Sequence, residues 1–230
     1  DGDAYSGGKS VNFKKTHLEP LYSHFSGSAA RLEQTGGCLP TLRNAPDLMK
    51  TLRVHRQDVK APLAQGSVAS PCMHAGGVIG DNTTASMIVE LDGQIRAWLT
   101  GSSSPCISLF KPWLFGVSPS APVFAADDHA AKNYWLQRES FHRLAIGRSL
   151  PGEFYAERDS LEAGWIALAE NSSETDFLAL THQARAEETA FSHHWSSKLL
   201  SLPVGGTRAF QRYWQRKNAA LESEQKVVSV

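Results

Sequence analysis

Residues 72–86 concentrate groups able to do chemistry. Cys72, His74, Asn82, Thr83, Thr84 and Ser86 supply a thiol, an imidazole, an amide and three hydroxyls in one short stretch. Residues 84–91 alternate, with Ala85, Met87, Val89 and Leu91 on one side and Thr84, Ser86, Ile88 and Glu90 on the other, which is a strand pattern. Residues 71–77 read as another strand, ending at Gly76-Gly77. Polar groups borne on strands at a sheet end are held rigidly, as a hydrolase site requires. Ordinary packing is the competing reading: Thr is common in strands, and a Cys beside Pro71 can serve as a small apolar filler.

Other candidates are weaker. Three cysteines without a CxxC spacing form no disulfide framework and give no expectation of a metal or any other cofactor. An odd count suits a reducing compartment, so a cytoplasmic location is expected. His193 and His194 are adjacent on an expected helix, where neighbours point about 100° apart, and read as two solvent-side residues. Arg208, Arg212 and Arg216 form a stripe opposite Phe210 and Trp214; it reads either as a solvated face or as a grip for an acidic partner. The chain has no HExxH, no GxSxG, no phosphate-binding Walker loop and no GxGxxG.

The elements that must position these groups fall into three zones. Residues 1–58 are mixed. Leu18, Leu21, Tyr22 and Phe25 have helical spacing limited by Pro20, residues 27–37 read as loop, and a helix starts at Pro46 with Leu48, Met49, Leu52 and His55 on one face. Residues 59–126 are poor in charge and form the strand block. Asp92-Gly93 marks a tight hairpin turn, after which Ile95, Ala97 and Leu99 resume an apolar face. Residues 107–115 are apolar but cut by Pro112, which limits them to an edge strand or a buried connector. Residues 127–230 are helical: Tyr134, Phe141 and Ala145 share a face, as do Phe154, Leu161, Trp165 and Leu168. Ser173 with Asp176 forms a capping box ahead of Phe177, Leu180, Ala184, Phe191 and Trp195. Helices, then strands, then helices imply one layered α+β domain over residues 1–230, not alternating βαβ units.

Lys and Arg (23) balance Asp and Glu (23) in 230 residues, so no global field exists to hold nucleic acid or an anionic membrane. No apolar run reaches the roughly 18 residues of a membrane helix.

The runs from Cys72 to Gly77 and from Asn82 to Leu91, and then Trp98-Leu-Thr-Gly-Ser-Ser-Ser-Pro-Cys-Ile-Ser-Leu-Phe-Lys-Pro-Trp-Leu-Phe115, resemble the secernins and their bacterial relatives, the cysteine-type dipeptidases. The Val11-Asn12-Phe13 stretch, residues 47–58 and the later helices fit the same family, so the resemblance covers most of the chain. It implies an N-terminal-nucleophile hydrolase with an αββα sandwich, cleaving the amide bond of a dipeptide or another small amide. In that family an N-terminal Cys attacks the carbonyl and its own α-amine, with a pKa of about 8, acts as base. Asp1 cannot play that part, and secernins are roughly twice as long. The resemblance therefore implies that this is the C-terminal portion of such a hydrolase, inactive alone, with the other half as its partner and no catalytic residue of its own. Self-cleavage at Gly37-Cys38, exposing Cys38, is the alternative source of a nucleophile. Asn82, Thr83, Thr84, Ser86 and His74 are expected to line the substrate cleft by hydrogen bonding. Cys106 falls where some relatives carry Ser and is not nominated, and Cys72 is expected to pack. A non-catalytic binding protein linked to secretion, or an acyltransferase passing the thioester to an amine, are the alternatives on the same scaffold. Half of such a sandwich is also expected to leave an apolar sheet face uncovered.

Overall fold

In the computed structural model, residues 3–6, 9–76, 80–91, 95–114, 128–170 and 172–228 are described. In chain order the elements are β1 (Asp3–Ser6), β2 (Lys9–Asn12), α1 (Phe13–His17), α2 (Pro20–Phe25), α3 (Ser28–Cys38), α4 (Ala45–Leu52), α5 (Pro62–Gln65), β3 (Met87–Glu90), β4 (Arg96–Leu99), β5 (Lys111–Leu114), α6 (Asp128–Ala145), α7 (Gly152–Glu170), α8 (Glu174–Leu200) and α9 (Arg208–Val228). The chain is thus mixed α+β, with two small antiparallel sheets among the described residues and a helical second half.

The alternating segment forms the central pair of strands. β3 and β4 run antiparallel with Met87 opposite Leu99 and Glu90 opposite Arg96, and β5 adds to the far side of β4. Pro112 sits on that outer strand, where its missing N–H costs no ladder bond. The Asp92-Gly93 turn lies outside the described residues. Ile88 and Trp98 turn into the core, whereas Met87 (56% exposed) and Val89 (37% exposed), on the alternate face of β3, remain open.

The helices follow their apolar stripes. In α8, Phe177, Leu180, Ala184, Glu188, Phe191, Trp195 and Leu199 are buried at three- and four-residue steps, and the helix packs on β5. Its start is the expected capping box: the Ser173 hydroxyl accepts from the Asp176 N–H and the Asp176 carboxylate accepts from the Ser173 N–H. Phe154, Phe191 and Trp195 bring α7 and α8 together with ring centroids 5.1 and 5.2 Å from Phe154. On α9 the buried face carries Phe210 and Trp214, and Arg208, Arg212 and Arg216 stay exposed.

Three expectations are corrected. Residues 28–38 are helix, not loop: Arg31 Nη1 donates to Val68 O at 2.7 Å and Gln34 Nε2 to Ala69 O at 2.5 Å, so a remote segment fastens a stretch whose glycines suggested otherwise. Residues 71–76 are irregular and hold only an isolated bridge between Ser67 and His74. Gly66 feeds that bridge at φ +74°, and a Cβ there would lie 3.0 Å from His74 O, so no other residue suits the turn. His55 lies beyond the end of α4, which stops at Leu52. The β1–β2 hairpin was not expected from the sequence.

Candidate functional site

The site is built around a buried, irregular loop, residues 102–110, whose carbonyls have no sheet or helix partner. Such a loop is tolerable inside a protein only if its polar groups are satisfied some other way. Buried cations do this. Arg53 donates to Pro105 O (2.8 Å) and Ser108 O (2.9 Å), Arg158 donates to Cys106 O, and Lys111 Nζ donates to Thr100 O (2.6 Å) and Leu109 O (3.0 Å). Each cation is matched: Glu162 takes Arg53 at 2.5 Å, Asp159 takes Arg158 at 2.6 Å, and Glu188 takes Lys111 at 2.6 Å.

The clamped loop carries two groups inward, Ser104 and Cys106. Ser104 has φ 59°, and among the described residues no other non-glycine has positive φ. That strained backbone aims its hydroxyl at three partners: Asn82 Oδ1 (3.2 Å), His74 Nδ1 (3.3 Å) and His142 Nε2 (3.0 Å). One arrangement satisfies all four groups: Ser104 donates to Asn82 and accepts from N–H groups on His74 and His142. The other ring nitrogen of His74, Nε2, faces away from Ser104. There it meets His55 Nε2 at 3.0 Å, Cys72 Sγ at 3.3 Å and Cys106 Sγ at 3.4 Å. His74, Cys72 and Cys106 are buried and His55 is half-buried.

The two thiols behave oppositely. Burial pushes Cys72 well above the ordinary thiol range, helped by Cys106 beside it. Burial opposes ionisation of Cys106 as well, but hydrogen bonding from Cys72 and the neighbouring imidazoles outweighs it and favours the thiolate.

His142 is backed by Glu139, whose Oε1 lies 3.5 Å from Nδ1 and also accepts from Arg143 at 2.5 Å. Burial works against ionisation of Glu139, yet His142, Ser103 and Arg143 hold its pKa at about 2, below the ordinary 4.5. A depressed carboxylate stabilises the fold fully above the unfolded value and loses that contribution as pH falls through the folded one. The melting temperature should therefore lose this contribution between about pH 4.5 and 2. Glu139→Gln should start lower at neutral pH and show a shallower fall in that window; parallel curves for the two proteins would contradict the assignment.

Beside the cluster, a cleft of about 400 Å³ opens to solvent. His55 and Cys106 form one wall, and Arg53, Lys60, Arg148 and Arg158 supply its charge; no carboxylate is among its described lining. Arg148 Nη1 donates to Leu144 O at 2.5 Å, its Nε is buried without a hydrogen-bond partner, and burial lowers the pKa of the guanidinium. Tyr155, also in the lining, is pushed up to about 12 by burial and stays a neutral donor.

The expected substrate-binding residues are dispersed relative to that cleft. His74 and Asn82 join the buried network. Thr83 Oγ1 accepts from Met73 N at 3.0 Å, and the Ser86 N–H donates to Thr100 Oγ1 at 2.9 Å; both bonds tie chain segments together. Thr84 is exposed. Cys38 lies in the last turn of α3, half-buried, and His193 and His194 are exposed on α8. The sequence reading missed His55, Ser104, Cys106 and His142 as a group with His74. The signal available was the Cys-x-His pair at 72 and 74; the remaining members come from distant segments that only the fold assembles.

No family model, no curated protein and no solved structure matches this chain. Among the described residues no helix is long and apolar enough to cross a membrane.

Proposed function

We propose that this chain forms the walls of the substrate cleft in a cysteine-type amide hydrolase similar to the secernin-like dipeptidases, the nucleophilic Cys being contributed by a segment outside these residues. The cationic cleft carries the reading. It is within the usual size range for a small-molecule site; Arg53 and Arg158 are already paired with Glu162 and Asp159, and Lys60 and Arg148 supply the remaining charge of a described lining that holds no acid, which suits the free carboxylate of a dipeptide. In this reading the guanidinium of Arg148 seats the carboxylate, the neutral Tyr155 hydroxyl donates a hydrogen bond to the substrate, and the polar floor orients the scissile amide near the incoming thiol. The open face of β3, with Met87 and Val89, is where an αββα sandwich would place its second sheet.

The test is a panel of dipeptides and their C-terminal amides, assayed with the complete protein. Free acids should be cleaved in preference to amides. Arg148→Met should raise KM roughly tenfold with kcat little changed, because the lost contact is present equally in ground and transition states. Equal turnover of acids and amides, with KM unmoved by Arg148→Met, would remove the support that the cleft gives.

A further inference from the structure

We propose that His55, Cys72, His74 and Cys106 form a closed structural metal site that takes one Zn²⁺ ion. This goes beyond the hydrolase reading and does not depend on it.

The four donor atoms lie within 4.8 Å of one another. Zinc held by thiolates at about 2.3 Å and imidazoles at about 2.0 Å in a tetrahedron sets its ligand atoms about 3.3–3.8 Å apart. The separations from His74 Nε2, at 3.0, 3.3 and 3.4 Å, match that packing with a small expansion. Hydrogen bonding explains the arrangement poorly. An imidazole nitrogen offers one proton or one in-plane lone pair, yet three polar atoms converge on His74 Nε2. A cation at the centre turns that crowding into coordination. Two sulfurs and two nitrogens are the donor set that selects zinc over calcium, magnesium or manganese.

The surroundings fit a built site. His74 has its other nitrogen on Ser104, which is bonded to Asn82 and His142, so the ring is oriented from behind as metal-bearing histidines usually are. The ligands come from three separate segments: the stretch after α4, the bridge at Ser67–His74, and the clamped loop. One ion would cross-link them where little regular structure does so. His55 and Cys106 reach the cleft wall, which gives the ion a route in. On binding, two Zn–S and two Zn–N bonds form, and any proton still on the two sulfurs leaves to solvent. With all four positions filled by protein, neither thiol is available as a nucleophile, and the ion's role is to hold the fold.

The test uses the whole chain. Purified without chelator, it should contain about one zinc ion per molecule by elemental analysis. After zinc is stripped, added Co²⁺ should give the intense visible bands of a tetrahedral ion together with sulfur-to-metal charge transfer. Cys106→Ser should lose both, and Cys38→Ser should keep both. His55→Ala, at a half-buried position that tolerates truncation, should also lose tetrahedral cobalt while retaining the helical circular dichroism of the parent. Ser104→Ala should weaken metal affinity by roughly 10–100-fold. A metal-free wild-type chain that gives only the weak pink spectrum of octahedral Co²⁺ would overturn the proposal, as would a Cys106→Ser variant with an unchanged cobalt spectrum.

Discussion

Replacing Glu162 by Ala should destabilise the protein by about 3–5 kcal/mol, because it strands a buried charge. Glu162 accepts from both Arg53 Nη atoms, at 2.8 and 2.5 Å, and from the backbone N–H of Phe110 at 2.7 Å. Both charged side chains are nearly sealed, at 11% and 5% exposure. Truncation leaves a guanidinium uncompensated and a backbone donor orphaned, and Arg53 is the same residue that satisfies Pro105 O and Ser108 O. For a chain of this size the loss corresponds to a fall of roughly 6–20 °C in Tm. Urea titration followed by circular dichroism measures it; a loss below about 1 kcal/mol would mean that water reaches Arg53 and that the clamp is not closed.

Lys111→Met should cost a similar amount, about 3–5 kcal/mol, for the converse reason. The ammonium is removed from two carbonyls, Thr100 O just before the loop and Leu109 O within it, and from Glu188, and the thioether that replaces it cannot donate. Glu188 keeps Tyr134 and Arg138, so most of the damage falls on the two carbonyls. Lys111→Arg should recover only part of the loss, since the planar guanidinium cannot reproduce three bonds from a single compact nitrogen. Near-wild-type stability of Lys111→Met would contradict the view that buried cations hold the loop.

Glu162 and Lys111 lie where the sequence was not legible; other parts were. The β3–β4 pairing was readable because residues 84–91 alternate, but the side that is buried was not: Ile88 enters the core while Met87, Val89 and Leu91 are exposed. The long helices were readable from their aromatic stripes, and the start of α8 from a local cap. Pro112 correctly limited β5 to an outer strand. The failures share a cause. Helix α3 depends on Arg31 and Gln34 reaching carbonyls more than thirty residues away, which no local window reveals. The strand expected at 71–77 gave way because the Ser67–His74 bridge and the bond from the Met73 N–H to Thr83 Oγ1 fold that segment inward. The cluster was half visible, since Cys72 and His74 stood out. His55 was assigned to a helix face and Cys106 was set aside, and nothing in their spacing brings them together. Nothing local to Lys111, Arg53 or Glu162 signals their burial; only the buried loop between them makes them structural.

In the proposed function these residues wall a cleft in which a thiol from a segment outside them cuts a small amide. The most direct measurement is dipeptide hydrolysis by the complete protein before and after limited alkylation, with the modified cysteine located by peptide mapping. Loss of activity that tracks labelling of an N-terminal Cys outside these 230 residues, with Cys72 and Cys106 unlabelled, is the expected result. Hydrolysis insensitive to alkylation, no hydrolysis of any dipeptide, or loss that tracks labelling of Cys38 would contradict the account.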